Sequence, residues 1–309
     1  TPDEPTPRAL RRYLAQFLSD PRVIEYPRWL WRIILHGIIL NVRPRRSAEL
    51  YRRIWTPEGS PLLAIMRRQA EGLRRVLRER WSGPLHIEIG MGYGRPAIRD
   101  GLEALRRAGC TRILVAPLYP QYSGATTGST FDAVADTLKT WRWVPEMRLA
   151  GPYHDRTDYI ECLAASIREA WACNGEPDRL LMSFHGLPKR YLLAGDPYYC
   201  HCLKTARLLA ERLGLPEGRW LASFQSRFGR EEWLRPYTME TLEQWGREGV
   251  ARVDVVCPGF SADCLETLEE IAITNREAFV EAGGKQYRYI PALNDRADHL
   301  AMLAGWLLE

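Results

Sequence analysis

The stretches SFHGLP (residues 183–188) and PGFSADCLET (residues 258–267) each follow or close a short apolar run of the chain. The runs at 179–184 and 253–258 are bounded by Gly and Pro, a pattern typical of buried parallel strands. Ligands of open α/β sheets bind outside the carboxyl ends of the strands. The sequence therefore predicts that His185 and the residues after Pro258 lie at one edge of one sheet.

An acidic stripe follows the second stretch. Asp263, Glu266 and Glu270 fall at i, i+3 and i+7, which places them on one face of an α-helix. The expected packing face consists of Leu265, Leu268, Ile271 and Ala272. One imidazole beside a row of carboxylates suits a divalent metal or proton transfer. A structural histidine and a solvated acidic face are the simpler alternatives.

Composition narrows the class of protein. The chain has 309 residues, 46% hydrophobic and 26% charged, which favours a globular protein of two domains. The net charge of +5 comes without a basic-aromatic stripe or zinc-finger spacing, so we expect no nucleic acid partner. Seven cysteines without dense spacing, and no secretory signal at the start, favour the cytoplasm.

A weak internal repeat predicts the architecture. Strand-like runs at 85–89 and 112–117, and again at 220–224 and 252–258, are each separated by a Gly-containing turn and a helix. We therefore predict an α/β fold of two similar doubly wound (Rossmann-like) domains with a cleft between them. The predicted domains are 1–150 and 151–295, and a C-terminal helix at 296–309 is predicted to pack back on the first domain.

The most apolar segment is 29–40, which is too short for a bilayer span of about 20 residues. It is either a core helix or an apolar lip, which would touch a membrane and admit an apolar ligand. Flanking arginines favour the lip; they are Arg22, Arg28, Arg32, Arg43, Arg45 and Arg46.

The chain resembles the ferrochelatases, chiefly the bacterial members. Short sequence motifs typical of that family occur in the family's order along almost the whole length of the chain. These motifs include GSPL (59–62), LYPQYS (118–123), SFHGLP, GDPY (195–198), FQSRFGREEWLRPYT (224–238), PGFSADCLETLEEI and YIPALN (289–294). The resemblance implies insertion of Fe(II) into protoporphyrin IX, with release of two protons, to form haem b. It implies that His185 and Glu266 are the catalytic pair and that Asp263 and Glu270 extend the metal or proton path.

The resemblance and the chemistry of a flat, carboxylated ring also predict the substrate contacts. They are Arg43, Arg46, Tyr51, Ser60, Tyr93, Tyr122, Tyr198, Trp233 and Phe260. Fe(II) is expected as a substrate, and no cofactor is expected to be permanently bound. A [2Fe-2S] cluster on Cys162, Cys173, Cys200 and Cys202 is not expected, because the usual cysteine-rich tail is absent and Gly124 follows the QYS motif.

The expected partners are porphyrin, ferrous iron and, by peripheral contact, the cytoplasmic membrane; the expected state is a monomer or homodimer. Three alternatives stay open: a coproporphyrin III ferrochelatase, a sirohydrochlorin-type chelatase, and a non-catalytic porphyrin or haem carrier. The first strand of the family fold is expected to be missing, because the sequence starts at Thr1. Gly92 stands where some relatives carry an arginine of the ring site.

Overall fold

The computed structural model describes residues 1–229 and 231–309. The chain divides into two compact units. Unit 1 comprises Thr1–Pro117, Ser123–Gly151 and Leu303–Glu309, and unit 2 comprises Leu118–Tyr122 and Pro152–Met302. Helices alternate with parallel strands in both units, so the predicted α/β class is confirmed.

Unit 1 begins with helices and contains a small parallel sheet. Its helices are α1 (Pro7–Leu18), α2 (Arg28–Ile34), α3 (Leu40–Ile54), α4 (Pro61–Arg78), α5 (Ile98–Arg107) and α6 (Ser129–Leu138), with π-helical turns at Leu35–Ile39 and Gly124–Gly128. Strands β1 (Arg112–Val115) and β2 (Glu146–Leu149) pair in parallel, with Ile113 opposite Met147. Leu102, Ile113, Val134 and Trp141 form a buried cluster around this sheet.

The apolar segment 29–40 has one buried side and one exposed side. Trp31 and Leu35 are buried in a cluster with Leu14 and Leu18 of α1. The opposite side of the segment stays exposed: Trp29 is 70% exposed and Ile33 is 64% exposed. One helical face therefore anchors the segment to unit 1, and the other presents large apolar side chains at the surface.

The predicted strand at 85–89 is wrong in the described structure. Among residues 1–229 and 231–309, these residues join no strand ladder, and the only pairing nearby is the bridge between Met91 and Ala97. The alternating sequence pattern correctly gives alternating burial, because residues 85, 87 and 89 are half-buried while 86 and 88 are exposed. A strand also needs hydrogen-bonded neighbours, and side-chain alternation does not supply them.

Unit 2 is built on a four-stranded parallel sheet. Its strands are β3 (Arg179–His185), β4 (Trp220–Gln225), β5 (Arg252–Val256) and β6 (Gln286–Ile290), in the order β4-β3-β5-β6. The helices are α7 (Thr157–Asn174), α8 (Lys189–Leu193), α9 (Tyr198–Leu213), α10 (Thr238–Arg247), α11 (Arg276–Glu281) and α12 (Ala297–Leu308), the last of which runs into unit 1. The strands at 179–184 and 252–256 are thus neighbours, as the apolar runs predicted.

The acidic helix departs from its predicted geometry. It is a π-helix, Glu266–Asn275, and Asp263 lies before it begins. Its buried residues are Thr267, Glu269, Ile271 and Asn275, and all of these except Glu269 are spaced four residues apart. Of the predicted packing face Leu265, Leu268, Ile271 and Ala272, only Ile271 is fully buried, because the wider π-turn rotates the side chains away from α-helical positions.

Within the described part of the chain, no helix combines the length and apolar character needed to cross a bilayer.

Candidate functional site

Strand β3 ends at His185 and places this side chain at the carboxyl edge of the unit 2 sheet. Its interior residues, Leu180 to Phe184, are at most 1% exposed, so the strand is fixed by burial on both faces. His185 lies opposite Gln225, the last residue of β4. Next to it, an added Cβ on Gly186 would lie 2.6 Å from the Gln225 carbonyl oxygen, so this close approach requires glycine.

Gln225 connects the strand ends to the π-helix. Its side chain is buried; Nε2 donates to the Glu266 carbonyl oxygen at 3.0 Å, and Oε1 accepts from the Ser183 hydroxyl at 2.8 Å. Ser183 also pairs with the Thr238 hydroxyl at 2.8 Å. Gln225 therefore connects Glu266, the first residue of the π-helix, to β3, the strand that ends at His185.

His185 and Glu266 interact electrostatically in this arrangement. Burial lowers the pKa of His185, and the Glu266 carboxylate opposes this shift. The backbone carbonyl of His185 accepts a hydrogen bond from the Tyr198 hydroxyl at 3.0 Å. The imidazole is therefore neutral at pH 7 and has a carboxylate nearby that would stabilise its protonated form.

Glu270 is held by Ser226. The Ser226 backbone N–H donates to Glu270 Oε1 at 2.7 Å, and the Ser226 hydroxyl donates to Oε2. Ser226 has a φ of 64°, a left-handed conformation uncommon outside glycine, and this aims both donors at the carboxylate. Burial raises the pKa of Glu270, and the charge of Glu266 adds to that rise, while the Ser226 hydrogen bonds oppose it.

Both carboxylate oxygens of Asp263 accept hydrogen bonds from neighbouring side chains. Oδ1 accepts from the Tyr289 hydroxyl at 2.6 Å and the Thr267 hydroxyl at 2.8 Å, and Oδ2 accepts from Asn294 Nδ2 at 2.7 Å. The Asp263 backbone N–H donates to Asn294 Oδ1 at 2.8 Å. These contacts join the start of the π-helix to the YIPALN segment, so the carboxylate holds the loop together.

The four predicted metal ligands therefore have different surroundings. Across residues 1–229 and 231–309, no group of three or more His, Cys, Asp or Glu side chains is arranged to hold a metal ion. His185 and Glu266 are electrostatically coupled, Glu270 is bound by Ser226, and Asp263 is occupied by its hydrogen bonds. The sequence spacing grouped side chains that the structure distinguishes by their hydrogen bonds.

The aromatic side chains of unit 2 have different surroundings. Trp233 packs on Gly186 and its buried Nε1–H has no hydrogen-bond partner among the described residues. Tyr198 is buried and binds the His185 carbonyl oxygen, and Phe260 is half-buried against the sheet core. Tyr119 is 42% exposed; partial desolvation, then Cys264 and Glu266, raises its pKa, which places this tyrosine near the acidic helix.

The predicted contacts in unit 1 are Arg43, Arg46, Tyr51, Ser60 and Tyr93. Burial and the charge of Arg46 lower the pKa of Arg43, so the two guanidinium groups are near neighbours. Tyr51 is buried, and the Ser60 hydroxyl accepts from Thr1 at 2.6 Å. The Tyr93 hydroxyl donates to Asp20 at 2.7 Å. Tyr93 and Ser60 thus make hydrogen bonds within unit 1, and Arg43 and Arg46 lie close to each other.

Sequence reasoning did not assign a role to Gln225 or Ser226. Both lie in the motif FQSRFGREEWLRPYT, one of the stretches that carry the family resemblance. The available signal was a polar residue at the end of an apolar strand, directly opposite the site histidine in a parallel ladder. Seeing it required the strand register, which places Gln225 beside His185.

Comparisons with known proteins agree with the resemblance. The ferrochelatase family model matches residues 1–309. The chain is 62% identical over 309 residues to a ferrochelatase of Thioalkalivibrio sulfidiphilus, covering all of this chain and 84% of that protein. It is 61% identical over 303 residues to a ferrochelatase of Nitrosococcus oceani, covering 98% of this chain and 82% of that one.

Solved structures share the fold. The structure of SirB from Bacillus subtilis with Fe3+ matches with a TM-score of 0.59 at 15% identity, covering 82% of this chain and 92% of that one. The sirohydrochlorin chelatase SirB from the same species, in complex with cobalt, matches with a TM-score of 0.51 at 15% identity, covering 80% and 89%. The predicted chelatase-like fold class is thereby confirmed.

Proposed function

Because the chain belongs to the ferrochelatase family, which inserts iron into porphyrin in haem synthesis, we propose that its ring substrate is protoporphyrin IX and that His185 and Glu266 carry the reaction. The observation that supports this assignment is a neutral imidazole at a strand end with the Glu266 carboxylate in electrostatic contact. A carrier would need neither group, since binding a ring requires no proton acceptor.

The reaction exchanges two pyrrole protons for one Fe(II) ion. Burial lowers the pKa of His185, so at pH 7 its imidazole is neutral and has a free ring nitrogen that can accept a proton. Glu266 then stabilises the imidazolium, since opposite charges attract strongly in a buried site. Glu270, whose pKa is raised, lies four residues along the same helix and is suited to pass a proton onward.

Apolar and cationic side chains of the two units have the chemistry that the ring faces and the propionates require. Trp233 offers apolar surface next to Gly186, beside His185, and a face of the porphyrin ring would pack against such a side chain. In unit 1, the neighbouring guanidinium groups of Arg43 and Arg46 have the chemistry to bind an anion such as a propionate. Binding energy from the faces and propionates would pay for bending the ring, which exposes its nitrogen lone pairs.

The test is an anaerobic spectroscopic assay with Fe(II) and three rings: protoporphyrin IX, coproporphyrin III and sirohydrochlorin. We expect haem formation with protoporphyrin IX, loss of insertion in His185→Ala, and retained porphyrin binding by that variant. His86→Ala, an exposed histidine in unit 1, is the matched control. Faster insertion into another ring would reassign the substrate, and binding without insertion by the wild type would make the protein a carrier.

A second proposal concerns the exposed apolar face of residues 29–42, which we propose contacts the cytoplasmic membrane. Trp29, Ile33, Ile38 and Val42 are all more than 60% exposed, and arginines flank them. Apolar side chains at a surface with adjacent cations bind anionic bilayers. Trp29→Ser with Ile33→Ser should abolish sedimentation with phosphatidylglycerol vesicles, while Phe131→Ser, an exposed aromatic elsewhere in unit 1, should leave it intact.

A further inference from the structure

Two histidines outside the proposed catalytic pair form a stacked couple in unit 2. The rings of His154 and His201 are parallel within 9°, with centroids 3.7 Å apart. His154 precedes α7, and His201 lies in the first turn of α9. Neither is used by the proposed reaction, and the contact is too close for two charged rings to be stable.

His201 contacts the segment 118–122, which carries two of the tyrosines discussed above. His201 Nδ1 accepts a hydrogen bond from the Tyr122 backbone N–H at 3.2 Å. One residue earlier, Gln121 Nε2 donates to the Thr205 hydroxyl at 3.0 Å, one turn further along α9. Thr205 in turn donates to the carbonyl oxygens of His154 and His201, at 2.8 and 3.0 Å.

Helix α9 also contacts the site at its other end. The hydroxyl of Tyr198, its first residue, donates to the His185 carbonyl oxygen at 3.0 Å. One helix thus holds the residue that ends β3 and the segment that brings Tyr119 near Glu266. A shift of the segment relative to α9 would move Tyr119 away from Glu266.

We propose that His201 is a positioning residue that holds segment 118–122 against α9 through its unprotonated Nδ1, and that His154 keeps His201 in place by ring stacking. The inference rests on the proposed function, because segment 118–122 matters only if its tyrosines contact the ring. It assigns His201 no contact with substrate. Protonation of Nδ1 would replace the acceptor with a donor that faces the Tyr122 N–H, so the anchor exists only in the neutral form.

The charges around the pair are consistent with a neutral stack. Burial lowers the pKa of His201, while Asp155 and Asp196 raise it and Lys204 lowers it. Burial, then His201, lowers the pKa of His154 to about 4, with Asp155 opposing and Lys204 adding to the shift. Asp155 and Lys204 pair with each other at 2.6 Å, so their effects on the stack partly cancel.

The test compares His201→Ala with His201→Asn, because the asparagine Oδ1 occupies the place of Nδ1 and accepts from the same N–H. We expect His201→Ala to raise the KM for porphyrin about fivefold with a smaller change in kcat, and to speed amide exchange of residues 118–122. His201→Asn should restore both, and its porphyrin affinity should not show the weakening in acid that protonation of His201 causes in the wild type. Arg207→Ala, an exposed residue on the same helix, is the control.

Three outcomes would overturn the inference: unchanged amide exchange of 118–122 in His201→Ala, equal porphyrin affinity in that variant and the wild type, or no rescue by asparagine. If His201→Ala does not fold, His201→Gln takes its place in the comparison with His201→Asn. Glutamine places its side-chain carbonyl one bond further from the backbone than asparagine, so it should not accept from the Tyr122 N–H. Wild-type protein that inserts no iron would instead refute the proposed function, and amide exchange still measures the anchor.

Discussion

Replacing Gln225 with leucine removes the side chain that links the π-helix to β3, while keeping a buried side chain of similar length. Nε2 no longer donates to the Glu266 carbonyl oxygen, and Oε1 no longer accepts from Ser183. Ser183 keeps its hydrogen bond to Thr238. The Glu266 carbonyl loses the donor from Gln225 and is therefore affected more strongly than Ser183. The first turn of the π-helix is then free to shift relative to His185.

The expected size of the effect follows from burial. Gln225 is 3% exposed, and two buried hydrogen bonds that lose one partner cost together about 2–4 kcal/mol of unfolding free energy. A loss of that size lowers the Tm by about 5–10 °C in a chain of this length. Displacement of Glu266 by a fraction of an ångström should reduce kcat by about 10- to 100-fold.

The assay combines thermal unfolding, porphyrin binding by fluorescence quenching, and anaerobic iron insertion. We expect Gln225→Leu to bind porphyrin with near-normal affinity and to insert iron slowly. Gln244→Leu makes the same substitution at an exposed hydrogen bond to Glu248 and should leave both properties unchanged. Gln225→Glu should be impaired at pH 8 and partly recover as the pH falls, because only the protonated acid can donate to the Glu266 carbonyl.

The reasoning would be refuted if Gln225→Leu inserted iron at the rate of Gln244→Leu. It would also fail if porphyrin affinity fell in parallel with kcat, since that result would place the damage in ring binding and not in the position of Glu266.

Three further predictions test separate parts of unit 2. Asp263→Ala should lower the unfolding free energy by about 3 kcal/mol, and Asp263→Asn by less, because asparagine keeps an acceptor for Tyr289. Urea titration measures both losses, and equal losses in the two variants would contradict the hydrogen-bond network around Asp263. Glu270→Gln should lower kcat about tenfold at unchanged Tm, since the amide still bonds Ser226 but cannot pass a proton; an unaltered kcat would make Glu270 purely structural. His154→Phe keeps the stacked ring and should remove part of the stability loss below pH 6.5. The native pKa of about 4 lies below the unfolded value, so this histidine contributes stability above pH 6.5 that is lost as the pH falls towards 4. Urea titrations at pH 7.5 and 5 compare this variant with the wild type, and an identical pH dependence would contradict it.

The sheet of unit 2 could be predicted from the sequence because it is buried on both faces. Apolar runs bounded by Gly and Pro located β3 and β5, and their parallel pairing followed from the strand–helix alternation. The same reasoning failed at 85–89, where half-buried alternation occurs without a ladder. Pairing depends on neighbours in space, and a local pattern carries no information about them.

The geometry of the acidic helix could not be predicted. The i, i+3, i+7 spacing assumed 3.6 residues per turn, and Glu266–Asn275 is a π-helix with a wider turn. Glu266 and Glu270 remain on related faces under either geometry, so their pairing survived the error. The expected packing residue Leu268 did not become fully buried, because burial follows the actual helical period.

Residues of one chemical type at regular spacing can differ in function because their hydrogen bonds differ. Asp263 has three donors within 2.8 Å, from Tyr289, Thr267 and Asn294, so binding a metal ion would require breaking bonds that hold the loop. Glu266 is placed by its backbone carbonyl, through Gln225, and its carboxylate, which also interacts with Cys264, acts on His185. A protein that must move protons and a metal needs a carboxylate whose position is fixed from elsewhere, because a side chain used for its own anchoring has few lone pairs left to offer. This division of labour between Asp263 and Glu266 explains why the structure separates two acids that the sequence spacing had made equivalent.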